Sequence, residues 1–147
     1  MMLLLFLHAA ATLAMTGLIW FVQLVHYPLF ACVDRRAFVD FERRHQARTT
    51  WVVAPLMLTE LATALALVRT PPAADWAPWT WAGLGLVGFL WLTTALVQVP
   101  LHRRLDRGWD AEAHRALVRS NWLRTAAWTV RGVLALALLT AAPLVAG

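Results

Sequence analysis

Residues Val97 to Arg107 read VQVPLHRRLDR, an apolar run that breaks at Pro100 and turns within three residues into an arginine cluster. Such a junction marks the exit of a membrane span, because arginine gathers just beyond the hydrocarbon. An earlier stretch repeats the pattern. Val22 and Gln23 precede Pro28 and Leu29, with Asp34 and Arg35 behind, as Val97 and Gln98 precede Pro100 and Leu101, with Asp106 and Arg107 behind. Arg48, Thr49, Thr50 and Trp51 are likewise answered by Arg119, Ser120, Asn121 and Trp122. The period of about seventy residues reads as two tandem copies of one unit, each a span, an arginine-rich link and a span.

With 61% apolar and 14% charged residues, the 147-residue chain is too apolar for a soluble domain of its size. Four runs are long enough to cross about 30 Å of hydrocarbon: roughly 2–29, 51–69, 78–100 and 122–146. The expected fold is all-α, a single transmembrane domain over 1–147 built as a four-helix bundle. The basic residues behind the net charge of +5 are all arginines. Links 30–50 and 101–124 hold eleven of the thirteen, whereas link 70–77 holds none and carries Asp75. The positive-inside bias places both rich links in the cytoplasm and both termini outside it, as in a protein of a bacterial inner membrane. Acidic residues interleave with the arginines and leave no unneutralised basic face, so no nucleic-acid partner is expected. Cys32, the one cysteine, reads as a small packing residue at a reducing boundary. The first span lacks a basic n-region and outruns a signal peptide's apolar core, so it is expected to remain as an anchor.

Along the first span, Gln23 and His26 are three apart and should share a helix face, and Pro28 is expected to end the helix. Each link should form a short amphipathic helix at the cytoplasmic interface. Phe38 and Phe41 face one side of the first; Leu105, Trp109, Ala113, Ala116 and Leu117 make a stripe along the second, with Asp106 as its cap. Glu60 lies near the middle of the second span, and Arg131 lies about ten residues into the fourth. Charges at that depth are expensive, so a structural Glu60–Arg131 ion pair is the simplest way to hold both. Gly83, Gly85 and Gly88 would let a neighbouring helix approach the third span closely. His8, alone toward the outer side, reads as a packing histidine with its hydrogen bonds satisfied.

An antiparallel bundle gathers Gln23, His26, Gln98, His102, Asn121 and Arg124 at its inner mouth, beneath links that carry Glu42, His45 and His114. Two parallel copies bring equivalent positions together around their axis. Gln23, His26, Gln98 and His102 are therefore expected to line one cavity, with Asn121 and Arg124 on its wall. Imidazoles and carboxylates gathered this way could ligate a metal, bind haem or move protons. Glu42 and His45 have the Glu-x-x-His spacing of di-iron bundles, but it occurs once and in an amphipathic link, where a solvated Glu42 is expected. His26 and His102, each two residues from a proline, are candidate axial ligands of a haem, or else interfacial groups bonding to headgroups and freed carbonyls. Candidate metal ligands are thus His26, His102, Glu42 and His45. No phosphate-binding glycine loop, Cys-x-x-Cys pair or nucleophile elbow is present.

The segments VPLHRRL (Val99 to Leu105) and NWLRTAAWTVRGVLAL (Asn121 to Leu136) resemble the end of a small four-span membrane family of unknown function that includes the anthrone oxygenases of polyketide pathways. That family shows a Val-Pro-x-Asn-x-x-Leu turn, then a Trp and an Asn followed by an Arg on the last helix. Pro100 and Leu105 match the turn, His102 stands in the place of its asparagine, and Trp122 with Arg124 or Trp128 with Arg131 match the later motif. The resemblance implies a four-helix membrane bundle whose polar inner mouth oxidises a hydrophobic aromatic molecule. On that expectation the protein is an oxidoreductase or oxygenase for a lipophilic aromatic or quinone-like compound. His102, His26 and Gln98 would handle protons or a metal, and Arg124 would stabilise a developing oxyanion. The alternative is a non-enzymatic accessory subunit, or a haem- or metal-binding module, of a larger membrane complex. Expected partners are the lipid bilayer, a hydrophobic small molecule, and a second copy or larger membrane assembly.

Overall fold

A backbone immersed in hydrocarbon must satisfy its own N–H and C=O groups, and this chain does so with helices. The computed structural model describes residues 1–141. It contains four helices long and apolar enough to cross a membrane: α1 (Met2–Cys32), α2 (Phe38–Arg69), α3 (Ala74–Leu105) and α4 (Ala111–Ala141). No strand occurs among the described residues, and residues 142–146 of the expected fourth span lie outside them. Short turns join successive helices, so neighbours run antiparallel. α1 and α3 each pack against both α2 and α4, which leaves α1 diagonal to α3 and α2 diagonal to α4.

A helix of 32 residues measures roughly 48 Å, well beyond a hydrocarbon core of about 30 Å. The excess accounts for the arginine-rich stretches, and it corrects the expectation of separate link helices. Nothing between Phe38 and Arg69 breaks the helix, so 38–50 is the continuous start of α2, and 111–121 is likewise the start of α4. The stripe of Leu105, Ala113 and Leu117 is buried against Val22, Phe30 and Phe38 inside the bundle. Trp109 packs edge-on against Phe38 beneath the Arg35 guanidinium.

Neither proline ends its helix. A π-turn over Val22–His26 stands two residues before Pro28, and another over Thr94–Gln98 stands two residues before Pro100. A widened turn removes the carbonyl that the proline ring would strike and the amide it lacks, so each helix continues: α1 to Cys32, α3 to Leu105. α1 stops where Val33 turns extended (φ −75°, ψ 134°). After α3 the chain reverses at Gly108, whose φ of +140° suits glycine. Asp110, not Asp106, caps α4: its Oδ1 accepts the backbone N–H groups of Glu112 and Ala113 at 3.0 and 2.9 Å. Asp106 accepts from Arg43 instead, at 3.2 Å.

Toward the end opposite the arginines, Glu60 and Arg131 meet across the α2–α4 diagonal, both 1% exposed. Arg131 Nη2 and Nε lie 2.6 and 2.7 Å from Glu60 Oε1, and the Thr12 hydroxyl donates to the same oxygen at 3.5 Å. Arg131 Nη2 also donates to His8 Nε2 at 3.1 Å. Arginine can only donate, so the His8 proton sits on Nδ1, which donates to Thr63 Oγ1 at 2.8 Å. His8 is therefore a buried histidine with both ring nitrogens satisfied, within a polar cluster. Of the three α3 glycines, only Gly83 serves close approach: a Cβ there would lie 2.5 Å from Arg131 Nη1, whereas Gly85 and Gly88 have nothing within 4 Å. The adjacent helices α1 and α4 close tightly where Thr16 Oγ1 donates to the Trp128 carbonyl at 2.9 Å beside Gly132.

Thermal melts in detergent test the pair. Glu60→Leu or Arg131→Leu alone should destabilise by about 3–5 kcal/mol, and the double replacement by far less than either. Gly83→Ala should be damaging in the native background and mild once Arg131 is leucine; equal penalties in both would show that Gly83 does not make room for the guanidinium.

The Asp110 cap has a signature in acid. The Ala113 N–H first, and then the Arg104 side chain, hold the Asp110 carboxyl below its ordinary value of 3.8. The group is thus lowered in the folded state, so its contribution is fully present above that ordinary value and fades as pH falls through the lowered one. The melting difference between native protein and Asp110→Ala should shrink along that path on acidification.

Candidate functional site

A cavity of about 450 Å³ opens within the arginine-rich half of the bundle. Helical spacing builds its walls: His45, Thr49, Val53 and Met57 line one row of α2, and Thr94, Gln98 and His102 line one row of α3, each residue four beyond the last. Met15 and Ile19 of α1 and Trp91 of α3 complete an apolar floor, and Tyr27, Gln98, His102 and Arg124 form the polar end. Thr50, Val99 and Arg103 are lining residues that remain exposed, which places the mouth between α2 and α3. No carboxylate lines it.

Behind the polar end runs a three-residue relay. His102 Nδ1 lies 2.5 Å from Glu42 Oε1, and Tyr27 Oη lies 3.1 Å from His102 Nε2. An ionised carboxylate only accepts, so the imidazole proton sits on Nδ1 and Nε2 is left to accept from the tyrosine hydroxyl. The geometry follows the logic of an acid, a histidine and a hydroxyl in series. Glu42 is fully buried, which corrects the expectation of a solvated side chain, and its Oε2 has no partner. The burial arises because α2 continues into this region and carries Glu42 against α3.

A second chain of polar groups stands beside the relay. Gln23 Nε2 donates to the Val118 carbonyl at 3.3 Å, Asn121 Nδ2 donates to Gln23 Oε1 at 2.9 Å, and Arg124 Nη1 donates to Asn121 Oδ1 at 3.0 Å. A carbonyl at one end and a guanidinium at the other fix the sense of both amides. Arg124 is 5% exposed, yet among the described residues no carboxylate pairs with it and its Nε is without a partner.

Of the expected site residues, Gln98, His102 and Arg124 line the cavity, and Gln23, Asn121 and His26 do not. Gln23 and Asn121 hold Arg124 from behind. His26 turns away because the π-turn between it and Gln23 breaks the i,i+3 relation that would put them on one face. Its Nε2 lies 2.8 Å from His45 Nδ1, and it packs among Phe21, Phe30 and Phe41. His45, a candidate metal ligand, lines the cavity as well, and Tyr27 and Trp91 are lining residues that the sequence did not single out for the site. Tyr27 is the only tyrosine in the chain, set between His26 and Pro28, and that was the signal available.

Among the described residues no group of three or more His, Cys, Asp or Glu side chains is arranged to hold a metal ion. The candidate ligands His26, His102, Glu42 and His45 spend their nearer atoms on one another and on Tyr27. The His45 ring packs 4.7 Å from His26 and 5.4 Å from His102, centroid to centroid, and so fills the space a macrocycle between those two axial candidates would need. No known protein family, curated protein or solved structure matches the chain.

Proposed function

We propose that the protein is a membrane oxidoreductase or oxygenase that takes a lipophilic aromatic or quinone-like compound into the cavity between α2 and α3. Arg124 carries this reading. A buried guanidinium without a counter-charge is costly, and here it borders an apolar chamber that an anionic ring oxygen could enter. Tyr27 Oη receives the proton of a phenolic ligand as it passes its own to His102 Nε2. The resulting imidazolium is held by Glu42, and the ligand oxyanion by Arg124. The electron-rich anion is the form that an external two-electron oxidant consumes; with dioxygen as that oxidant, a hydroquinone gives up two electrons and two protons to yield quinone and hydrogen peroxide. The likeness of Val99–Leu105 to the turn of the anthrone-oxygenase family supports the same chemistry. Protein in liposomes should accelerate oxidation of a lipophilic naphthohydroquinone. Arg124→Gln and His102→Phe should each lower the rate by about 100-fold or more, with the fold retained by circular dichroism. Unchanged rates in both variants would sink the assignment.

The arginine-rich end is assigned to the cytoplasm of a bacterial inner membrane, with the cavity's polar end on that side and both termini outside. Two tandem copies of a two-span unit account for the matched π-turns two residues before Pro28 and Pro100. Glu60 and Arg131 are 71 residues apart, the same offset that relates Arg48 to Arg119, so the ion pair would join equivalent positions. A reporter fused at Gly147 that requires export should be active and a cytoplasmic one silent; the reverse pattern overturns the orientation.

A further inference from the structure

Two histidines at the arginine-rich end, His26 and His45, stand outside the relay. His26 Nε2 lies 2.8 Å from His45 Nδ1, so a single proton is shared between the two facing nitrogens. Phe21, Phe30 and Phe41 pack around the rings and hold them in place. Thr49 Oγ1 lies 3.0 Å from the same His45 nitrogen, and a hydroxyl can donate or accept, so it suits the bond whichever ring holds the proton. Among the described residues neither far nitrogen, His45 Nε2 or His26 Nδ1, has a hydrogen-bond partner. Sealed atoms without partners do occur in this bundle, Glu42 Oε2 among them, but these two nitrogens are not sealed. His45 lines the cavity. His26 does not, and it is half-buried on the flank of α1 beside Phe21, itself 54% exposed. The pair therefore has one end in the chamber and the other at the bundle surface.

We infer that His45 and His26 form a proton conduit between the cavity and the arginine-rich surface of the bundle. A neutral pair carries two protons on four nitrogens, one in the bridge and one at a far end. With the bridging proton on His45 Nδ1, His45 Nε2 is bare and His26 Nδ1 carries the second. A proton from a hydroxyl in the cavity then binds His45 Nε2, the bridging proton crosses to His26 Nε2, and the proton of His26 Nδ1 leaves to water. One enters and one leaves, and the reverse shift brings one in. The relay cannot do this. It ends in Glu42, which is fully buried, so a proton given to His102 has no path beyond that carboxylate. The relay takes the proton of a ligand, and the histidine pair brings the chamber into equilibrium with the surface. Imidazole suits that task because it gains and loses protons near neutral pH.

This rests on the cavity taking a phenol, as proposed above, and the experiment separates the two. The probe is para-nitrophenol, whose phenolate is coloured, bound to the full-length protein in detergent. After an acidifying pH step in a stopped-flow mixer, the bound phenolate should lose its colour at least about tenfold more slowly in His26→Phe than in native protein, with nitrophenol affinity unchanged. In His26→Ala, added imidazole should restore the rate by occupying the vacated position, whereas native protein should not respond to it. A purely structural loss would not be rescued in this way. If neither His26 variant folds, Thr49→Val should slow the step by at least about threefold, the worth of one hydrogen bond, and a native rate there overturns the inference. A native rate in His26→Phe, or a slow His26→Ala that imidazole does not restore, overturns the inference and leaves the proposed activity standing. Nitrophenol that fails to bind overturns the inference, and the absence of hydroquinone oxidation as well overturns both.

Discussion

Hydrocarbon tolerates a full charge only beside its opposite, and the Glu60–Arg131 pair imposes that condition on the whole bundle. The two residues belong to diagonal helices, so their contact ties α2 to α4 across the bundle. The other helices adjust to it. α3 gives up a side chain at Gly83, and α1 contributes Thr12 and His8 to occupy the remaining donors and acceptors. A network of this kind is stable when every member is satisfied, and here the Thr63 hydroxyl closes it by donating to the Thr59 carbonyl.

Seven residues earlier on α4, Arg124 is buried to a similar degree and treated in the opposite way. Arg131 has a carboxylate and a histidine; Arg124 has the dipole of one amide, backed by a second amide and a backbone carbonyl. The same helix thus carries one arginine that is consumed by the fold and one that is held in position with its charge unspent. The carboxylate nearest in function, Glu42, is engaged by His102 and lies outside the cavity lining, which keeps the relay and the guanidinium from neutralising each other.

The prolines have a related effect. Each follows a π-turn, and a π-turn changes the phase of every side chain beyond it relative to a regular helix. On α1 the shift turns His26 out toward the aromatic cluster and Tyr27 in toward His102. On α3, Gln98 closes the π-turn and His102 follows it one turn later, both on the cavity wall. The polar end of the cavity is therefore assembled from the segments where two helices depart from regular geometry.

Membrane insertion, the number of helices and the shared depth of Glu60 and Arg131 were all legible in the chain, because they depend on composition and on a fixed rise per residue along one axis. The gathering of Gln98, His102 and Arg124 at one end follows from the same linear bookkeeping. Which side chains turn inward there was decided by tertiary structure alone. Tyr27 replaced His26 because of a π-turn that no hydrophobic period announces, and Glu42 went from an expected solvated link to full burial because α2 runs unbroken across the boundary. Hydropathy and spacing describe position along a helix, whereas the site depends on rotation about it and on the direction of each hydrogen bond, and those exist only once neighbouring helices are in place.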